Sequence, residues 1–138
     1  MKVNFLFLFF SFPSFAYAGY SAYVGHVGGK IALPCNTTSW GDEYISLVLW
    51  YKETAEVGLP IYSIDARTTP LSKSKHTVPP EYKDRLFFDV TLKPPVLRID
   101  PILEEDNGDF RCRVSTQVVP SLANGNFELS LVQFTSVS

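Results

Sequence analysis

The sequence predicts an all-β chain folded as a sandwich of two sheets. Three observations carry that prediction: short runs of alternating residues, turn residues between the runs, and a single widely spaced pair of cysteines. Runs with a period of two, or rich in β-branched and aromatic residues, cover Gly29–Cys35, Ile45–Lys52, Pro60–Asp65, Arg85–Val90, Val96–Asp100, Asp109–Ser115 and Asn126–Val132. Gly41-Asp42, Gly58, Pro79-Pro80, Pro94-Pro95, Asn107-Gly108 and Asn124-Gly125 mark the turns. No stretch after the first eighteen residues repeats apolar residues at helical spacing for more than one turn. With 138 residues the chain has length for one core rather than two.

Residues 1–18 read as a leader rather than as part of the fold. Lys2 gives a short positive start, Phe5 to Phe10 an apolar stretch, and Ala16-Tyr17-Ala18 the small residues that a signal peptidase reads. Ser11, Pro13 and Ser14 interrupt the apolar run well short of the roughly 20 residues that a membrane span needs. Cleavage is therefore expected after Ala18, leaving a single domain over 19–138. A leader directs the chain to an oxidising compartment, where Cys35 and Cys112 are read as one disulfide. No later stretch is apolar and long enough for a helical span. Two localisations stay open: the ectodomain piece of a type I plasma-membrane protein, or a secreted protein.

The cysteines narrow the fold class. Cys35 ends a run, Trp50 lies in the next, and Cys112 follows Asp106-Asn107-Gly108-Asp109-Phe110 in a late one. This Cys…Trp…Cys spacing with a corner before the second cysteine is that of an immunoglobulin domain, in which the disulfide ties the sheets and the indole packs on it. The long interval between Trp50 and Arg85 leaves room for C′ and C″ strands, which makes the prediction an immunoglobulin V-type sandwich, with Pro60–Ile64 as C′. Alternation then assigns sides. With Cys112 inward, Phe110 and Val114 are inward, and Arg111, Arg113 and Ser115 face out; with Trp50 inward, so are Val48 and Ser46, and Leu47, Leu49 and Tyr51 face out. Phe110 stands where a corner tyrosine is usual, so the hydroxyl bond of that corner is lost and only ring packing remains. Arg85 and Asp106 occupy positions that V-type domains commonly pair across the sandwich base; two solvated charges are the plainer alternative.

Several segments resemble the first immunoglobulin domain of the arthropod Sidestep family: Leu49-Trp50-Tyr51-Lys52, Leu59 to Arg67, Arg85-Leu86-Phe87-Phe88, Pro95 to Ile99, and Phe110 to Val114. The resemblance covers nearly all of the chain after the leader. It implies a cell-surface recognition protein, heterophilic in its adhesion and active in axon guidance, with Beaten-path-like immunoglobulin proteins as partners. A soluble or homophilic V-type binding module is the alternative.

The C, C′, F and G strands form the sheet that V-type domains commonly use for partners. The expected contact residues are Leu47, Leu49, Tyr51, Arg111 and Arg113, joined by Tyr62, for which nothing in the sequence sets the phase of C′. Leucine and tyrosine beside arginine are the composition of an interface core. Asn36-Thr37-Thr38 is a glycosylation sequon, and Asn36 is expected to point outward from the opposite sheet, clear of that face. The formal charge of −2 gives no electrostatic footprint for nucleic acid. His26 and His76, the only histidines, sit in no metal or nucleophile motif and are expected in solvent. No phosphate loop and no Cys/His metal spacing occurs, so no enzyme, cofactor, metal or small-molecule substrate is expected.

Overall fold

The computed structural model describes residues 20–38, 40, 45–53, 58–116 and 127–138. The expected leader and the turns at Gly41-Asp42 and Asn124-Gly125 lie outside the described residues. Within them the strands are β1 (Tyr20–His26), β2 (Ile31–Pro34), β3 (Ile45–Lys52), β4 (Tyr62–Asp65), β5 (Lys75–Thr77), β6 (Leu86–Asp89), β7 (Val96–Ile99), β8 (Gly108–Thr116) and β9 (Phe127–Val137). They form a larger sheet in the order β1-β9-β8-β3-β4-β5 and a smaller one in the order β2-β7-β6. Only β1 with β9 pairs in parallel.

Seven of the strands fall on the predicted runs, and the other two have sequences that hide them. In β5 all three residues are exposed, so no apolar phase marks the strand, and its pairing with β4 alone makes it. In β1 the inner phase is Ser21, Tyr23 and Gly25 and the outward residues include Ala22 and Val24, so apolar residues fall on both sides and no alternation marks the strand. Strand β9 also runs to Val137 rather than stopping at Val132, because Phe134 continues its inner phase.

The core lies between the sheets. Leu33, Leu97, Ile99 and Phe88 from the smaller sheet meet Val48, Trp50, Ile64, Phe110, Val114, Val132 and Phe134 from the larger. Trp50 meets Phe88 edge-on at 5.9 Å between centroids, and Phe110 meets Phe134 in the same way at 6.3 Å. Cys35, directly after β2, is bonded to Cys112 of β8, with Cα atoms 5.8 Å apart. The bond joins the two sheets beside Trp50, the cross-strand partner of Cys112. Closing a loop with a sequence separation of 77 stabilises the fold by about 4.5 kcal/mol on the chain-entropy estimate.

Ser46 departs from the expected alternation. The β3–β8 register shifts between Ile45 and Leu47, so Ile45 enters the core in its place. Ser46 is half-buried, and its hydroxyl donates to the Ser115 carbonyl at 3.2 Å.

At the base of the sandwich Arg85 grips Asp106 through both guanidinium nitrogens, at 2.8 and 3.0 Å, with side chains 14% and 3% exposed. The same carboxylate accepts the Leu103 amide at 2.7 Å, and Arg85 also donates to the Pro101 carbonyl at 3.0 Å. Lys52, in the inward phase of β3, reaches the Glu105 carbonyl beside this pair. Burial pushes its pKa down, and the carboxylates of Asp106 and Glu105 oppose that shift. Together these contacts hold the corner where Phe110 cannot.

Candidate protein-binding face

Strands β3, β4, β8 and β9 occupy the C, C′, F and G positions, and their ladders set the outer face residue by residue. Opposed residues in a sheet share a side, so each row can be followed across the strands. The first row is Phe127, Ser115, Leu47 and Asp65; the second is Leu129, Arg113, Leu49 and Ser63; the third is Leu131, Arg111 and Tyr51. Leu47, Leu49, Tyr51, Arg111 and Arg113 are all partly exposed on this one face.

Tyr62 is not among them. It is the cross-strand partner of Trp50 and therefore shares its inward side, where it is 3% exposed. Its hydroxyl accepts the Phe88 amide of the smaller sheet at 3.1 Å and is bonded to His76 Nδ1 at 2.5 Å, so the buried polar tip is satisfied. Burial raises the Tyr62 pKa. The His76 ring, edge-on to Tyr62, is desolvated on that side, and its pKa is lowered from the ordinary value. Ser63 and Asp65 hold the outward positions of β4 instead.

Three residues of the face escape a reading of the sequence: Phe127, Leu129 and Leu131, which are 53%, 51% and 41% exposed. Within β9 they form the more apolar phase, and alternation alone assigns that phase to a core. Pairing with β8 does the reverse. Ser130 stands opposite Cys112 and is buried with Val132 and Phe134, which leaves the leucines and Phe127 outside. The signal available in the sequence was Phe134, which carries the inner phase past Val132.

Arginine and aromatic rings interleave over these rows. Arg111 lies over the Tyr51 ring at 5.0 Å, and Arg113 over the Phe127 ring at 4.4 Å. Glu53 approaches Arg111 at 3.6 Å, too far for a hydrogen bond. Tyr51, Gly58, Arg111, Arg113, Phe127 and Leu129 line an open depression of about 300 Å³. At the edge of the face Arg67 binds both carboxylate oxygens of Asp65, at 2.9 and 2.7 Å. That side-chain bond, with the Arg67 amide, holds the Asp65 pKa down to about 2.

The sequon lies away from this face. Asn36 is exposed, but its amide donates to Ser130 Oγ at 2.9 Å, and the amide and hydroxyl of Thr38 donate to the Glu128 carboxylate at 2.6 and 2.7 Å. Ser130 and Glu128 belong to the inner phase of β9. Through these bonds the segment after β2 is tied to β9 of the larger sheet. Among the described residues, no three His, Cys, Asp or Glu side chains stand together as a metal would require.

No protein-family model matches the chain, and no curated protein matches its sequence. Solved structures do match in fold. Murine CRIg superposes with a TM-score of 0.69 at 15% identity, over 86% of this chain and 93% of that one. Domain 1 of VCBP3 from Branchiostoma floridae gives 0.58 at 18% identity, over 84% and 90%. The extracellular domain of the voltage-gated sodium channel beta4 subunit, described as a parallel homodimer with a role in cell-cell adhesion, gives 0.58 at 15% identity, over 87% of each chain. With the inter-sheet disulfide and the strand order, these likenesses establish an immunoglobulin V-type β-sandwich.

Proposed function

We propose that this V-type domain is an extracellular recognition protein that binds another protein through the outer face of β9, β8, β3 and β4. One observation carries the reading: β9 turns its apolar phase outward, so Phe127, Leu129 and Leu131 join Leu47, Leu49 and Tyr51 around two arginines. Contiguous apolar surface of this kind marks interaction sites rather than ordinary solvated sheet. Three rows about 7 Å apart on four strands about 4.8 Å apart span roughly 15–20 Å on a side, the size of an interface core.

The resemblance to the Sidestep family supplies the finer reading. It is heterophilic cell adhesion in axon guidance, with Beaten-path-like ectodomains as partners, by a protein that enters the secretory pathway through residues 1–18. An N-linked glycan on Asn36 completes the proposal and leaves the face clear. The homodimer of the sodium channel beta4 domain, which shares this fold, favours self-association as the second reading.

Binding of the chain to Beaten-path-like ectodomains and to itself separates the two. Reversing both charges, Arg111→Glu with Arg113→Glu, is expected to weaken the productive interaction at least tenfold while leaving the unfolding midpoint unchanged. Unchanged affinity removes the face from consideration. Self-association without binding to those ectodomains replaces the first reading with the second.

A further inference from the structure

Resting on the face proposed above, we infer that the partner's surface is acidic as well as apolar, and that it presents paired carboxylates to Arg111 and Arg113. The two arginines stand on the same side of β8, two residues and so about 7 Å apart. Each is braced over a ring from a different neighbouring strand, Tyr51 of β3 and Phe127 of β9. Such a brace restricts the guanidinium while leaving its in-plane donors free, so a bidentate partner has less side-chain freedom to freeze.

Those donors are not consumed within the chain. Among the described residues Arg113 has no carboxylate partner; its Nε is covered, so the donors it can offer a partner are its terminal nitrogens. Arg111 has Glu53 at 3.6 Å only, on a side chain that is 55% exposed and free to swing away. A partner that covers the leucines must also strip water from both guanidiniums, which is unfavourable unless a carboxylate meets each. A purely apolar partner is thereby disfavoured.

A second copy of the chain is disfavoured by the same arithmetic of charge. A two-fold axis through the middle row would set guanidiniums against guanidiniums. Among the described residues the carboxylates on this side of the sheet, Glu53, Asp65 and Asp109, lie at the margins of the face, and Asp65 is already held by Arg67. An acidic strand with alternating aliphatic residues matches both the spacing and the apolar surround.

The test titrates the disulfide-bonded, 15N-labelled chain with capped peptides in which valine alternates with glutamate, glutamine or lysine, up to about 1 mM. The glutamate peptide is expected to move the amide resonances of Leu49, Tyr51, Arg111, Arg113 and Leu129, and to bind roughly tenfold tighter than the glutamine peptide. The lysine peptide is expected to leave them still. Arg111→Gln with Arg113→Gln should abolish the preference for glutamate, whereas Leu129→Ser should weaken the glutamate and glutamine peptides alike. Equal binding of those two peptides at these resonances overturns the acidic partner and leaves the face standing. Shifts confined to the smaller sheet, or none with any peptide, overturn the face and this inference with it. Dimerisation that perturbs the same resonances and is lost in Arg113→Glu assigns the face to a second copy, and overturns it too.

Discussion

On the smaller sheet, Ala32, Arg98 and Phe87 stand side by side across β2, β7 and β6; on the larger, Leu129, Arg113 and Leu49 stand side by side across β9, β8 and β3. Both rows centre on an arginine, and their surroundings differ. Arg98 finds a carboxylate on the next strand, Asp89 at 3.4 Å, and Asp89 is further satisfied by the amide and hydroxyl of Thr91. Those Thr91 bonds, with Arg98 after them, lower the Asp89 pKa. Arg113 finds a ring and two leucines. The smaller sheet closes its own charge even though Ala32 and Phe87 flank it outside, while the larger leaves Arg113 without a carboxylate partner among the described residues and surrounds it with apolar side chains over three adjacent rows. Where local patterning is broken without a gain inside the chain, the gain is to be sought outside it.

The contrast exists only while one core holds both sheets, so the largest change removes their covalent link. Replacing both Cys35 and Cys112 by alanine is expected to cost about 4.5 kcal/mol in chemical denaturation, and the native spectrum of both faces should disappear together. Next comes the base. Asp106→Ala strands a largely buried guanidinium and the Leu103 amide, and should cost about 3 kcal/mol by the same measurement. The Arg85→Met, Asp106→Leu pair should recover much of that loss.

Tyr62→Phe leaves the Phe88 amide without its acceptor and is expected to cost about 1–2 kcal/mol. A pH titration probes the same link. The folded state lowers the His76 pKa, so below the ordinary value of 6.5 the unfolded chain takes up the proton more readily. Stability should be full above about pH 6.5, fall as the pH drops through that value, and level off once the lower folded value is passed. In His76→Gln that step should be missing. The smallest stability effects sharpen the contrast most. Leu129→Ser and Phe87→Ser should each leave stability within about 0.5 kcal/mol of the parent, yet only the first should reduce partner binding.

Strands with a covalent or indole anchor could be read from the sequence in both position and phase. Cys112 and Trp50 orient β8 and β3, and the outward places of Leu47, Leu49, Tyr51, Arg111 and Arg113 follow from them. Strand β4 has no such anchor. Ile61 and Ile64 are both buried although they lie in opposite phases, so alternation could not decide the side of Tyr62; its pairing with Trp50 did. The same gap hid the apolar part of the face, because the phase of β9 is set by its ladder with β8 and contradicts its own composition. Lys52 was illegible for a related reason: a lysine reads as solvated, and only the fold shows a carbonyl within reach of its buried tip.

The hydroxyl of Tyr62 has one more effect, at the borders of the sandwich. Strand β6 is a margin of the smaller sheet, and its Phe88 amide points away from β7, where an incoming backbone could seize it. The tyrosine oxygen already fills that socket from across the core. At the far margin of the larger sheet, β5 is only three residues long and opens on a lysine, which gives a stranger's strand little to zip along. Lateral accretion into fibres is thus discouraged along β5 and β6, the two margins on this flank of the sandwich, β1 and β2 forming the other two.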